Sequence, residues 1–216
     1  MSIIVDQFKK IQSNIEKLQL DNSPKIIAVS KTFSLEHIKP LIAYGHNHFG
    51  ENKVQEANSK WQDLLLKNDN IKLHMIGKLQ TNKVKTAVRL FDYIHSVDSQ
   101  KLADTLSKCE KQFNKKINYF IQVNIGNENQ KSGIPTNEVD QFYTYCSNEL
   151  KLNIIGLMAI PPQNEEPDKY FEYLSKHNKS LDLKELSMGM TSDYLTASNY
   201  SSTFLRIGSG IFGSRN

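Results

Sequence analysis

The sequence predicts a closed (β/α)8 barrel of the TIM type, an α/β fold, built as a single domain over residues 1–216 with an extra N-terminal helix. The length of 216 residues is enough for one sizeable core. Short apolar runs alternate with amphipathic stretches, which is typical of βαβ units and a parallel sheet. There are eight such runs, the strand number of this barrel, and the length lies near the short end of its range. An open doubly wound sheet is the alternative.

The elements follow from the spacing of apolar residues. A helical stripe along residues 3–20 consists of Ile4, Phe8, Ile11, Ile15 and Leu18. The predicted strands are 26–31, 46–49, 71–76, 93–97, 118–125, 154–159, 183–187 and 203–208. The intervening helices include 51–66, 99–115, for which Asp98 or Ser99 is the expected N-cap, and 137–150.

Composition argues against several classes of function. The formal net charge is +4, but the lysines are scattered and no dense basic block appears, so we expect no nucleic-acid partner. No secretory signal or membrane-spanning stretch is visible, which predicts a cytoplasmic protein with no membrane partner. Cys109 and Cys146 lie in predicted helices and do not have the spacing of metal ligands, so we expect reduced thiols. The histidines do not have metal-ligand spacing either, so we expect no metal. His74, in a strand, is expected to be a hydrogen-bonded core residue.

Lys31 closes the first apolar run and is the most informative residue of the chain. A lysine at the end of a buried strand is costly to desolvate unless it has a partner or a function. Burial lowers the pKa of a lysine, and a neutral amine forms a Schiff base with an aldehyde. The alternative is a lysine that simply leaves the strand for solvent.

The ends of the last two strands predict an anion site. Loops after strands 7 and 8 of this barrel often hold a phosphate, and here they carry the hydroxyls of Ser187 and Ser209 beside several glycines. Two ordinary tight turns are the alternative. Arg206, inside the last strand, would face either a ligand or an acidic partner in a structural ion pair.

Several motifs occur in order along the chain and together resemble one family. They are Val29-Ser30-Lys31, Phe49-Gly50-Glu51-Asn52, the run from His74 to Lys83, Gln122-Val123-Asn124, Lys131-Ser132-Gly133, Gly156-Leu157-Met158, the run from Leu186 to Asp193, and Arg206-Ile207-Gly208. The set resembles the pyridoxal-phosphate homeostasis protein family, single-domain relatives of the alanine racemase N-terminal barrel. The resemblance covers essentially the whole chain.

The resemblance implies a barrel that binds pyridoxal 5'-phosphate (PLP). Lys31 would carry PLP as a Schiff base, and Asn52 would lie near the ring. Arg206 would face the pyridine nitrogen, where a permanent cation keeps that nitrogen unprotonated and weakens the ring as an electron sink. The phosphate would be held by Ser187, Gly208 and Ser209.

The function implied by the resemblance is non-catalytic. The protein would hold PLP within intracellular vitamin B6 homeostasis, and so affect amino- and keto-acid balance indirectly. PLP-requiring apoenzymes are candidate recipients, and a monomer is the simplest expectation. The question whether Lys131, Lys53 or Lys83 forms a secondary PLP site is left open.

Two enzyme classes are the alternatives. One is a PLP-dependent amino-acid racemase of low activity; related racemases take a second base, a tyrosine, from an additional β-rich domain, whereas this chain ends just after the eighth strand. The other is a phosphate-sugar enzyme with a Schiff-base lysine, which would need paired acid and base groups at the barrel mouth. Glu51 and Asp98 are the candidates for that pair.

Overall fold

The computed structural model describes residues 2–128 and 130–213, which form a closed barrel of parallel strands surrounded by helices. Strands and helices are numbered separately in chain order. The strands are β1 (Lys25–Val29), β2 (His48–Glu51), β3 (Lys72–Met75), β4 (Tyr93–Val97), β5 (Asn118–Asn124), β6 (Ile134–Pro135), β7 (Ile154–Ala159), β8 (Glu185–Ser187) and β9 (Phe204–Ile207). The helices are α1 (Ile3–Glu16), α2 (Leu35–Ala43), α3 (Val54–Leu65), α4 (Val84–Leu90), α5 (Gln100–Phe113), α6 (Val139–Thr144), α7 (Asp168–Ser180), α8 (Tyr194–Asn199) and α9 (Ser209–Phe212).

Hydrogen bonding closes the sheet on itself. The ring runs β1-β2-β3-β4-β5-β7-β8-β9 and returns to β1, with every neighbouring pair parallel. At the closure Ala28 is opposite Phe49 on one side and Ile207 on the other. The two-residue strand β6 is attached to β5. The eight-stranded barrel confirms the predicted fold class and excludes the open doubly wound sheet.

Boundaries differ from the predicted ones by short shifts. The first strand ends at Val29 rather than at residue 31, because the chain turns at Lys31. The second strand begins at His48 rather than at residue 46. The predicted helix 137–150 is α-helical only in α6 and continues as a π-helical stretch over Tyr145–Glu149. Ser99, one of the two expected N-caps, precedes α5.

The core has two parts, one inside the barrel and one between strands and helices. The interior is filled by a small apolar group that includes Ile27, Phe120, Met158 and Phe204. The larger cluster lies between the outer face of the strands and the helices, and the stripe of α1 joins it through Ile4, Phe8, Ile11 and Ile15.

Within residues 2–128 and 130–213 we find no helix with the length and apolar character needed to cross a bilayer.

Strands β7 and β8 approach closely at Gly156. A Cβ atom there would overlap the carbonyl oxygen of Glu185 and lie 2.6 Å from its carbonyl carbon, so a side chain would push the two strands apart. We expect Gly156→Ala to lower the free energy of unfolding by about 3 kcal/mol, as for overpacking of a rigid core. Urea denaturation measures this loss.

Gly45→Ala is the matched control for this prediction. Gly45 has a φ of +99° but open space around its Cβ position, so the substitution adds backbone strain without a clash. The expected loss at Gly45 is about 1 kcal/mol. Equal losses at both glycines would show that overlap with Glu185 is not the cause.

Candidate functional site

A cavity of about 440 Å³ lies at the carboxyl ends of the barrel strands. Its volume falls in the range of small-molecule sites, and its position is where barrels of this type carry their ligand sites. Five of the six residues predicted for the site line it. The complete lining is Val29, Lys31, Asn52, Ile76, Ile160, Met190, Thr191, Ser192, Arg206, Gly208 and Ser209.

Lys31 lies half-buried on the turn that follows β1. The next residue, Thr32, has a φ of +71°, which is uncommon for a β-branched residue. Its backbone N–H donates to the Glu56 carboxylate at 2.8 Å, and the N–H of Phe33 donates to the carbonyl of Ser30 at 3.2 Å. These bonds fix a sharp turn that places Lys31 at the cavity wall.

A buried polar cluster supports this turn from below. One carboxylate oxygen of Glu51, Oε1, accepts from the Ser30 hydroxyl at 2.8 Å, from Lys60 Nζ at 2.8 Å and from the Trp61 indole N–H at 3.0 Å. Lys60 also donates to the carbonyl of Ser30 at 2.8 Å. The cluster was not predicted from the sequence, because it depends on how α3 packs over β2. Glu51 thus anchors the turn and does not line the cavity, while its second oxygen, Oε2, is buried without a partner among the described residues.

Asn52 contributes a buried acceptor without a partner. Its side-chain Oδ1 is inaccessible to solvent and has no hydrogen bond with any described residue. The close approach of the β3 loop holds Asn52 in place, because a Cβ atom at Gly77 would lie 2.7 Å from the Asn52 Cα. Buried polar atoms are nearly always satisfied, so the unpaired Oδ1 of Asn52 is a candidate acceptor for a ligand group.

Arg206 extends from β9 and is 5 % exposed. Its guanidinium donates to the Ser187 hydroxyl at 2.6 Å and to the carbonyl of Ala159 at 2.9 Å. No acidic side chain in the described ranges forms an ion pair with it, so the structural ion pair considered above is not observed. Burial lowers the pKa of Arg206 to about 10, against the opposing charge of Asp193, and the residue remains a cation at neutral pH.

Ser187, at the end of β8, contacts Arg206 from below and does not line the cavity with the other predicted residues. It is completely buried inside the barrel, where its hydroxyl contacts Arg206 and the Nδ1 atom of His95 at 2.9 Å. The cavity lining does not include it. Its role in phosphate binding stays a prediction, and its observed contacts assign it to the support of Arg206.

Hydroxyl groups from the loops after β8 and β9 meet on one wall of the cavity. Ser209 Oγ lies 3.4 Å from Thr191 Oγ1, which also accepts the backbone N–H of Gly210 at 3.3 Å. Ser192 completes this group. Helix α8 begins at Tyr194, so Thr191 and Ser192 lie before the helix and add two hydroxyls to this wall.

A second cavity of about 630 Å³ adjoins the first and shares Ile160, Met190 and Ser192 with it. Lys131 lines this second cavity, where it pairs with Glu128 and donates to the carbonyl of Pro161 at 3.3 Å. Of the other lysines left open above, Lys53 precedes α3 and Lys83 precedes α4. Neither belongs to the lining of these two cavities.

The fold and the site together define a (β/α)8-barrel protein whose mouth offers an amine, a buried cation and a group of hydroxyls to a small anionic ligand. Residues 7–216 match the family described as alanine racemase, N-terminal domain. The pyridoxal phosphate homeostasis protein of Pasteurella multocida is 36 % identical over 227 aligned positions, covering 98 % of this chain and 97 % of the relative. The chain therefore belongs to the pyridoxal phosphate homeostasis protein family, within the wider alanine racemase N-terminal domain family.

Solved structures agree with this assignment. PipY of Synechococcus elongatus, solved with PLP bound, has 33 % identity and a TM-score of 0.86, with 97 % of this chain and 100 % of PipY covered. An alanine racemase of Clostridium difficile has 14 % identity and a TM-score of 0.75 over 97 % of this chain, and it shares the fold. This chain spans 57 % of that racemase, but nearly the full length of PipY.

Proposed function

We propose that this protein binds PLP in the cavity at the barrel mouth, holds it on Lys31, and serves intracellular PLP homeostasis without catalysing a reaction of its own. One observation carries the proposal: Lys31, Arg206 and the hydroxyls of the last two loops converge on one cavity. Relatives with the same name and PipY with PLP bound support it. An effect on amino- and keto-acid balance would follow indirectly.

The residues present fit the chemical groups of PLP. When bound, PLP supplies an aldehyde that condenses with an amine, releasing water, and a pyridine ring that can accept electrons. Lys31 would provide the amine, and Ser209, Thr191, Ser192 and the backbone at Gly208 would hold the phosphate. The unpaired acceptor of Asn52 would bind a donor of the ligand.

The charge of Arg206 favours binding over catalysis. Its guanidinium only donates hydrogen bonds, so the pyridine nitrogen facing it would act as an acceptor and stay unprotonated. An unprotonated ring is a poor electron sink. Arg206 therefore supports a site that retains PLP but stabilises a carbanion poorly.

The composition of the cavity wall also favours a carrier over a racemase. Racemisation needs proton donors and acceptors on both faces of the substrate. In the described part of the chain, the lining includes Lys31 but no carboxylate, histidine or tyrosine. A second acid–base group is therefore missing from these walls.

Absorption spectroscopy with borohydride trapping tests the proposal. Purified protein mixed with PLP should show a visible band that borohydride removes while fixing a phosphopyridoxyl group on the peptide that contains Lys31, as identified by mass spectrometry. A reduced protein without this group, or with the group on another lysine, would overturn the assignment. Formation of D-alanine from L-alanine at a rate comparable to that of a racemase would overturn the non-catalytic role.

We also propose that the protein acts as a monomer in the cytoplasm and passes PLP to apoenzymes. Cys109 and Cys146 are buried free thiols, as is typical of proteins from reducing compartments. Sedimentation equilibrium tests the monomer. Direct transfer is tested by mixing the PLP-loaded protein with a PLP-requiring apoenzyme. The apoenzyme should become active faster than the release of free PLP from the loaded protein allows.

A further inference from the structure

A chain of hydrogen bonds crosses the barrel interior and ends on Arg206. His48 Nδ1 lies 2.8 Å from His74 Nε2, and His74 Nδ1 lies 2.9 Å from His95 Nε2. His95 Nδ1 lies 2.9 Å from Ser187 Oγ, which accepts from the Arg206 guanidinium at 2.6 Å. We call His48, His74, His95 and Ser187 the histidine relay. Barrel interiors are usually filled by branched apolar residues, so a continuous polar path requires a reason.

The relay connects the two ends of the barrel. His74, His95 and Ser187 are completely buried. His48 is half-buried and lines a separate cavity of about 310 Å³, together with Lys25 at the start of β1. The relay therefore begins near solvent at the amino ends of the strands and finishes beside the cavity that contains Lys31.

Aromatic packing fixes the orientation of the imidazole rings. Tyr93 stacks on His74 with ring centres 4.3 Å apart, and Phe120 stacks on His95 at 4.2 Å. Phe204 lies within 6.0 Å of the rings of His48, His74 and His95. Since the rings cannot turn without disturbing this packing, the remaining freedom is which nitrogen of each ring carries the proton.

Arg206 determines the direction of the protons along the relay. The guanidinium can only donate, so Ser187 accepts from it and donates its own hydroxyl proton to His95 Nδ1. His95 must then carry its proton on Nε2 and donate to His74, which in turn donates from Nε2 to His48. In the reverse direction the hydroxyl proton of Ser187 would have no acceptor among the described residues, at a cost to the buried group.

The relay also contributes to the stabilisation of the buried cation. No described carboxylate forms a salt bridge with Arg206, although the charge of Asp193 acts on it. The guanidinium is hydrogen-bonded instead to the carbonyl of Ala159 and to the oriented dipoles of the relay. In the direction derived above, each imidazole turns its acceptor nitrogen toward the cation. A neutral relay stabilises the guanidinium without cancelling its charge, which leaves that charge to act on a ligand in the cavity.

We propose that the histidine relay holds each of its imidazoles protonated on Nε2 and positions the Arg206 guanidinium toward the ligand in the cavity. His95 and His74 are thus positioning residues that act through Ser187. The proton arrangement stands on the contacts of this chain alone, while the effect on a ligand rests on the proposed function. Two experiments separate these parts.

Nitrogen-15 NMR of the ligand-free protein tests the proton arrangement. In protein labelled at histidine, the rings of His74 and His95 should each show a protonated Nε2 and an unprotonated Nδ1, with assignments made from the spectra of His74 and His95 variants. A proton on Nδ1 of either ring, or a mixture of the two forms, would overturn the relay. This result does not depend on whether the protein binds PLP.

A matched pair of substitutions at His95 tests the effect on the ligand. The amide of His95→Asn lies where Nδ1 lies and can still accept from Ser187, whereas the amide of His95→Gln reaches only the Nε2 position. With PLP as the probe, we expect His95→Asn to bind at least fivefold more tightly than His95→Gln, and the visible band to move only in the Gln variant. If His95 has a purely structural role, the loss of PLP affinity in each variant should instead follow the loss of its free energy of unfolding.

The outcomes of the pair are distinct. Equal PLP affinity of the two folded variants, with unchanged spectra, would overturn the positioning role even if the NMR result holds. Failure of the unmodified protein to bind PLP would overturn the proposed function, and the NMR measurement would still decide the relay. If His95→Gln does not fold, Ser187→Ala replaces it. This variant removes the contacts of the hydroxyl with both His95 and Arg206, and it too should bind PLP at least fivefold more weakly than His95→Asn.

Discussion

Lys31→Ala is expected to abolish the visible band of the protein–PLP mixture and the borohydride-dependent labelling. Lys31 is the lysine on the wall of the 440 Å³ cavity, on a turn fixed by Thr32 and Glu56. Without its amine the ligand is held only by Arg206, the hydroxyls and Asn52. Retention of PLP should weaken by at least about tenfold, or about 1.4 kcal/mol, as measured by equilibrium dialysis.

Two further variants distinguish the role of the Lys31 amine from the effect of its positive charge and from the effect of removing any other lysine. Lys31→Arg keeps the positive charge but cannot form the covalent link, so the band should be lost while part of the affinity remains. Lys53→Ala removes an exposed lysine that follows Asn52, and it should leave the band in place. A persistent band in Lys31→Ala, or a lost band in Lys53→Ala, would contradict the assignment.

The convergence of Lys31, Asn52 and Arg206 could be predicted because a barrel brings the carboxyl ends of all its strands to one mouth. Each residue follows or ends an apolar run that is recognisable in the sequence. This prediction required only the order of the strands and helices along the chain. It therefore holds even where a predicted strand end differs from the observed one by two residues. Lys31 reaches the cavity although its strand ends at Val29.

The direction of a side chain at a strand end could not be predicted in the same way. Successive residues of a strand face opposite sides, so a shift of one position exchanges the interior for the exterior. Ser187 lies inside the barrel under Arg206 and outside the cavity lining, while its predicted role at the phosphate stays a prediction. Thr191 and Ser192, a few positions further on, line the cavity instead.

The histidine relay and the cluster around Glu51 depend on register, which apolar periodicity does not contain. His74 is opposite Gly50 in one strand pair and opposite Tyr93 in the next, and this places His48 and His95 on either side of it. Each histidine alone was consistent with an ordinary core residue. Their juxtaposition follows only from the pairing of three strands.

Acid is expected to unfold the protein through its buried histidines. Burial lowers the pKa of His46 and of His48 to about 4, and it holds the pKa of His74 and of His95 well below the usual value of 6.5. Nearby charges modify the effect of burial. Lys25, Lys72 and Arg206 add to the lowering, whereas Asp92 and Glu185 oppose it at His48.

The sign of the effect follows from proton uptake. Below pH 6.5 the unfolded chain protonates these four histidines while the folded protein keeps them neutral, so the stabilisation is complete above pH 6.5 and is lost as the pH falls toward 4. Each largely buried histidine contributes a slope of up to about 1.4 kcal/mol per pH unit, so His46, His74 and His95 together contribute about 4. Solvent screening reduces the contribution of the half-buried His48 below that of the other three. Since domains are stable by only about 5–15 kcal/mol, we expect unfolding at about pH 5.

Urea denaturation at a series of pH values from about 8 to about 4 measures this slope. His46→Gln is the informative variant, because His46 contacts the carbonyl of His48 at 2.8 Å but lies outside the relay. Removing it should reduce the slope by about a third while leaving the relay intact. A free energy of unfolding that stays constant between about pH 7 and about pH 5 would contradict the neutral state of the four histidines. Because the relay requires its imidazoles to be neutral, the same acid limit should apply to the orientation of Arg206.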